Sequence, residues 1–202
     1  MDGALFYWFT WMLWIVTTFF MKKENKYRCV YSISLLLAII TSPYQLTFLG
    51  FTVSWLLVIM LASAFVYTAF LRKGSLIYFS ASVFFTMLAY CTFHLLAILD
   101  PVWILFDQKW MLAIVLMIIA RLLYSNPLQQ IMLIMFGSIN GEIMYGLILK
   151  KYEFTYIIGD LHYFDCLLIS ITVMTTIYVV KGFLSKWEQH VYIMEKEKQK
   201  LS

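Results

Sequence analysis

Residues 128–149 read LQQIMLIMFGSINGEIMYGLIL, an apolar segment of membrane-spanning length with a carboxylate, Glu142, in its second half. About 20 mostly apolar residues, rising 1.5 Å each, cover the roughly 30 Å of hydrocarbon in a bilayer. An ionisable group at that depth costs roughly 2.5–3.5 kcal/mol on insertion scales. It persists where it packs against protein, lines a polar cavity or takes part in function. In the same segment Gly137 and Gly141 form a Gly-x-x-x-Gly pair, which lets a neighbouring backbone approach closely. Ser138, Glu142 and Tyr145 follow at i, i+4 and i+7, on one helical face beside those glycines. That spacing turns Glu142 toward the bundle and away from lipid.

Working outward, the 202-residue chain is 63% hydrophobic and 13% charged, against about 45–50% and about 25% for a soluble domain. No water-soluble fold of this size hides so much apolar surface. Six further segments have span character: residues 4–21, 29–46, 47–71, 75–99, 110–124 and 161–180. The expected fold is therefore an all-α polytopic bundle of about seven transmembrane helices. Pro43, within Ser42-Pro43-Tyr44-Gln45, separates the second from the third, because it lacks an N–H and disfavours helix at Ser42.

Charge orients the bundle. Lys22, Lys23, Lys26, Arg28, Arg72, Lys73, Arg121, Lys181, Lys186, Lys196, Lys198 and Lys200 fall on one side, twelve of the fifteen basic residues. Lys109, Lys150 and Lys151 fall on the other, together with Asp100, Asp107, Glu153 and Asp160. The positive-inside rule then places the N-terminus outside and the C-terminus in the cytoplasm. Met1-Asp2-Gly3 supplies no basic leader, so the first segment reads as a retained span. The net charge of +4 follows from the inner loops and tail; anionic lipid accounts for it without nucleic acid.

The chain divides into a membrane bundle, residues 1–182, and a cytoplasmic amphipathic basic tail, residues 183–202. In the tail Leu184, Trp187, Val191 and Met194 make one apolar stripe, with Lys186, Lys196, Lys198 and Lys200 around it. The stripe suits either a helix lying on anionic headgroups or a short contact with a partner helix. Ser42-Pro43-Tyr44-Gln45-Leu46 and Asn126-Pro127-Leu128-Gln129-Gln130 are faintly alike, a likeness that chance explains.

Motifs of soluble catalysis are absent: no nucleotide loop, Cys-x-x-Cys, His-Glu-x-x-His or Gly-x-Ser-x-Gly occurs. Polar stripes inside the spans remain. Ser82, Thr86, Tyr90 and His94 recur every four residues; His162, Asp165, Thr172 and Thr176 share a broad face. On the charge-based topology His94, Glu142, His162 and Asp165 all lie in the outer half of the membrane. With Tyr90 they form a candidate intramembrane polar pocket opening outward. Each also has a plain structural reading: Glu142 as a buried hydrogen-bonding group, His94 as a core histidine, and His162 and Asp165 as solvated residues near a span end. Cys91, His94, His162 and Cys166 have only helix-face spacings, so no metal site is expected. A Cys91–Cys166 disulfide is conceivable, but core thiols explain Cys29, Cys91 and Cys166 more simply. Gln129 and Gln130 read as polar groups serving a helix start and the headgroups.

Tyr7-Trp8-Phe9-Thr10-Trp11-Met12-Leu13-Trp14-Ile15, Thr18-Phe19-Phe20-Met21-Lys22-Lys23 and Ser42-Pro43-Tyr44 resemble the YphA family of small Bacillus membrane proteins. The resemblance implies a bacterial cytoplasmic membrane and transfers no functional residue. The expected function is a non-enzymatic scaffold or accessory protein of an envelope process, needing no cofactor, with lipid around the bundle and anionic lipid or a protein partner at the tail. The alternative is a small proton- or ion-linked carrier built on Glu142; an intramembrane enzyme ranks third.

Overall fold

Apolar segments become helices because a helix satisfies every backbone polar group within itself, which hydrocarbon demands. The computed structural model describes residues 3–21, 27–48, 50–70 and 73–201. Met1, Asp2, Lys22, Lys23, Lys26 and Arg72 lie outside these residues. So do the side chains of Lys73, Lys186, Val191, Met194, Lys196, Lys198 and Lys200.

The described residues are mostly helical, with seven α-helices: α1 (Ala4–Ile15, continued by a π-helical turn Val16–Phe20), α2 (Tyr27–Thr41), α3 (Trp55–Ala69), α4 (Lys73–Leu99), α5 (Gln108–Leu123), α6 (Pro127–Lys151) and α7 (Leu161–Leu201). Among the described residues three stretches are long and apolar enough to cross a membrane: Gly74–Leu99, Pro127–Lys151 and Leu161–Leu184. Ala4–Phe20, Arg28–Thr41 and Trp55–Ala69 are shorter apolar helices. The expected boundary at 182/183 falls inside α7, which runs on as helix to Leu201.

Neighbouring helices alternate in direction. Tyr7 bonds Ser42 at 2.8 Å and Thr18 bonds Ser32 at 3.1 Å, so α2 returns along α1. Gln108 meets His94 while Tyr78 donates to the Leu123 carbonyl, fixing α5 antiparallel to α4. The connections therefore gather at two opposite ends. The α4 and α6 helices form the most intimate pair.

The expectation of an all-α chain needs one correction. Residues 45–54 are not the junction of two spans but a β-hairpin, β1 (Gln45–Phe48) and β2 (Phe51–Ser54), with Phe48 opposite Phe51. A third strand, β3 (Ile157–Ile158), pairs parallel with β2. Thr47, Phe48, Phe51, Thr52 and Val53 are the β-branched and aromatic types that favour a strand. Gly50, at φ +75° in the two-residue connection, supplies the left-handed backbone that such a turn requires. The second helix therefore stops at Thr41, before Pro43, and the third begins at Trp55.

Local capping explains several polar residues. Asp107 accepts from the Lys109 N–H (2.9 Å), Asn126 from that of Leu128 (3.1 Å) and Asp160 from that of Tyr163 (2.8 Å). At the other end of α6, Phe154 N–H bonds the Leu149 carbonyl and Glu153 N–H bonds that of Lys150. Those two bonds make a Schellman closure with Glu153 in the left-handed region at φ 61°.

Candidate functional site

The sheet end of α4, α6 and α7 holds the polar cluster. It is organised by Glu142, which has no exposed surface. Its Oε2 accepts a hydrogen bond from Tyr90 Oη at 2.6 Å. Oε1 accepts two, from Tyr156 Oη at 2.6 Å and from the Gly159 N–H at 3.1 Å. Tyr156 lies in the connection between α6 and α7. Burial and the adjacent Glu142 carboxyl push its phenol far above the ordinary tyrosine value, so it keeps its proton and donates.

The glycines bring this cluster together. A Cβ at Gly137 would stand 2.5 Å from Thr86 Cβ, and one at Gly141 would stand 2.7 Å from Tyr90 Cβ. Only glycine permits α4 to approach this closely. The stripe Ser82, Thr86, Tyr90 and His94 is thus the buried face of α4. Ser82 and Thr86 spend their hydroxyls on their own helix, donating to the Tyr78 and Ser82 carbonyls. One turn along α6, Ser138 Oγ lies 3.1 Å from Tyr163 Oη of α7.

Asp165 overturns its sequence reading as a solvated residue. It is buried, and both its oxygens are engaged. Oδ1 accepts from the Phe6 N–H at 2.8 Å, while Oδ2 accepts from the Gly3 N–H at 3.0 Å and from Lys109 Nζ at 2.8 Å. Asp165 therefore caps α1 from another helix, since Gly3 has no side chain with which to do so. One carboxylate ties α1, α5 and α7 together.

His94 is buried, with its ring 4.6 Å from that of Tyr90 and 5.1 Å from that of Tyr145. Nδ1 faces Gln108 Nε2 at 3.2 Å, and Nε2 is buried without a hydrogen-bond partner. His162 is half-buried at the start of α7. The expected pocket residues thus divide into two neighbouring networks. Tyr90, His94 and Glu142 form one; Asp165 belongs to the other, and His162 stands at the start of α7. Thr172 and Thr176 are not part of either: Thr176 is exposed and bonds back to the Thr172 carbonyl.

Sequence reasoning missed Tyr156, Gly159, Gln108 and Lys109. The loop residues Tyr156 and Gly159 gave no periodic signal. Lys109 did give one, as a basic residue on the side otherwise short of positive charge, where a buried carboxylate could hold it. The headgroup reading of Gln130 also fails. Gln130 is buried, donates to the Tyr124 carbonyl and accepts from Tyr178 Oη at 2.9 Å, joining the end of α5 and the start of α6 to the middle of α7. Gln129 is half-buried. Cys29, Cys91 and Cys166 are free thiols. Among the described residues no three His, Cys, Asp or Glu side chains converge as metal ligands.

The family model described as "YphA-like integral membrane protein" matches residues 2–200. The chain is 28% identical over 152 residues to the "Uncharacterized protein YphA" of Bacillus subtilis (strain 168), covering 75% of this chain and 74% of that protein. No solved structure matches.

Proposed function

Because this chain belongs to the YphA-like integral membrane protein family, we propose that it is a multi-pass protein of the bacterial cytoplasmic membrane with a non-enzymatic, scaffolding or accessory role in an envelope process. In this reading all seven helices cross the bilayer. The sheet end faces outward and the C-terminus enters the cytoplasm, an orientation that the distribution of lysine and arginine supports. The supporting observation is the state of Glu142: unexposed, with three protein donors on its two oxygens. A carrier's carboxylate must exchange its partner for a proton or ion during each cycle. Here the same carboxylate fastens the α6–α7 connection to α4.

The experiment is Glu142→Gln, scored by complementation of a deletion strain and by protein level in the membrane. Glutamine keeps a carbonyl oxygen for Tyr156 and Gly159 and turns an amide toward Tyr90. The scaffold reading predicts function and abundance close to wild type. Normal abundance with lost function would favour the second reading, a proton- or ion-linked carrier. The observation behind that reading is His94 Nε2, a buried group with bonding capacity unused.

A further inference from the structure

The α7 helix is much longer than a span needs. Its 41 residues, Leu161–Leu201, extend about 60 Å at 1.5 Å per residue, twice the roughly 30 Å of hydrocarbon. Tyr178 still bonds Gln130 of α6. Farther along, Val180, Phe183, Leu184 and Trp187 are exposed. A tail lying flat on the bilayer would have to turn sharply where it leaves the membrane; the helix continues through that point without a break.

The sequence along this extension has the period of a coiled coil. With Leu184 at position a, the a positions are Leu184, Val191 and Lys198, and the d positions are Trp187, Met194 and Leu201. Spacings of three and four alternate without interruption. The two-strand preference comes from a β-branched residue at a with leucine at d, of which this segment has Val191 and Leu201, and a single lysine at a specifies register and strand number at some cost in stability. His190 at g and Glu195 at the following e are complementary across a parallel pair. Two copies inserted the same way in one membrane send their tails out side by side and parallel, the orientation in which these positions meet.

We propose that the α7 extension, Leu184–Leu201, pairs with the same segment of a second copy as a parallel two-stranded coiled coil. Two and a half heptads are too few to hold two free peptides together. Anchoring both helices in one bilayer supplies the effective concentration that they lack. The proposal rests on the scaffold reading for its purpose, since dimerisation would present two bundles at a fixed spacing, but its test is independent of that reading.

The test is disulfide cross-linking of the full-length protein in native membranes, in a Cys29→Ser background. Val191→Cys and Met194→Cys, at a and d, should give about ten times more covalent dimer than Gln189→Cys and Lys196→Cys at the outer f positions. Val191→Asp should abolish the Met194→Cys dimer while membrane abundance stays normal. Equal cross-linking at all four positions, or none at any, overturns the proposal. Loss of the dimer with Glu142→Gln complementation unchanged would remove this inference and leave the scaffold reading standing.

Discussion

Two carboxylates that hydrocarbon should exclude are placed by what they accept. Glu142 takes donors from α4 and from the α6–α7 connection; Asp165 takes the N-terminal N–H groups of α1 and the Lys109 ammonium. Removing Asp165 leaves Lys109 without that carboxylate and α1 without its cap. Breaking a buried pair by deleting one partner costs about 3–5 kcal/mol. Asp165→Ala should therefore lower the thermal unfolding midpoint in detergent sharply. Asp165→Asn, which keeps an acceptor for α1, should lower it less. Equal midpoints for Asp165→Ala and wild type would show that the cap contributes nothing. The sequence announced Glu142 as anomalous but kept its partners hidden, because Tyr156 and Gly159 sit in a loop where no period relates them to α6. Asp165 was misread for a related reason. Its nearness to a span end suggested water, whereas the helix start it serves is about 160 positions earlier in the chain.

Among elements, the pair α4 and α6 depends on two missing side chains. Alanine favours a helix interior over glycine by roughly 1 kcal/mol, so propensity alone makes Gly137→Ala and Gly141→Ala stabilising. The contacts reverse the sign: the new Cβ atoms meet Thr86 and Tyr90 near their backbones, at 2.5 and 2.7 Å, and overpacking costs about 1–3 kcal/mol. Both variants should be destabilised in a thermal unfolding assay. Gly182→Ala, with open space around it, should be neutral or slightly stabilised. Three stable variants would mean that the close crossing is not maintained. The Gly-x-x-x-Gly spacing made this face legible in advance. The hairpin was less so: its ten residues were apolar enough to be absorbed into the neighbouring spans, and only Gly50 hinted at a turn.

For the whole molecule, the hydropathy pattern made the helical, membrane-type character legible, since an apolar run is a property of consecutive residues. The polar networks are not legible in that way, because they join segments brought together only by packing. The proposed orientation predicts that a membrane-impermeant maleimide added to intact cells labels Thr155→Cys and spares Ser125→Cys until the membrane is opened; the reverse pattern would invert the bundle. The central claim is narrower: Glu142 is a sealed structural carboxylate and not a working one. Dicyclohexylcarbodiimide, which reacts with protonated carboxyls inside membranes, tests it directly when native membranes are treated and the residue-142 peptide is read by mass spectrometry. The account predicts that Glu142 stays unmodified until the protein is unfolded. Ready modification of Glu142 in the folded protein would contradict it.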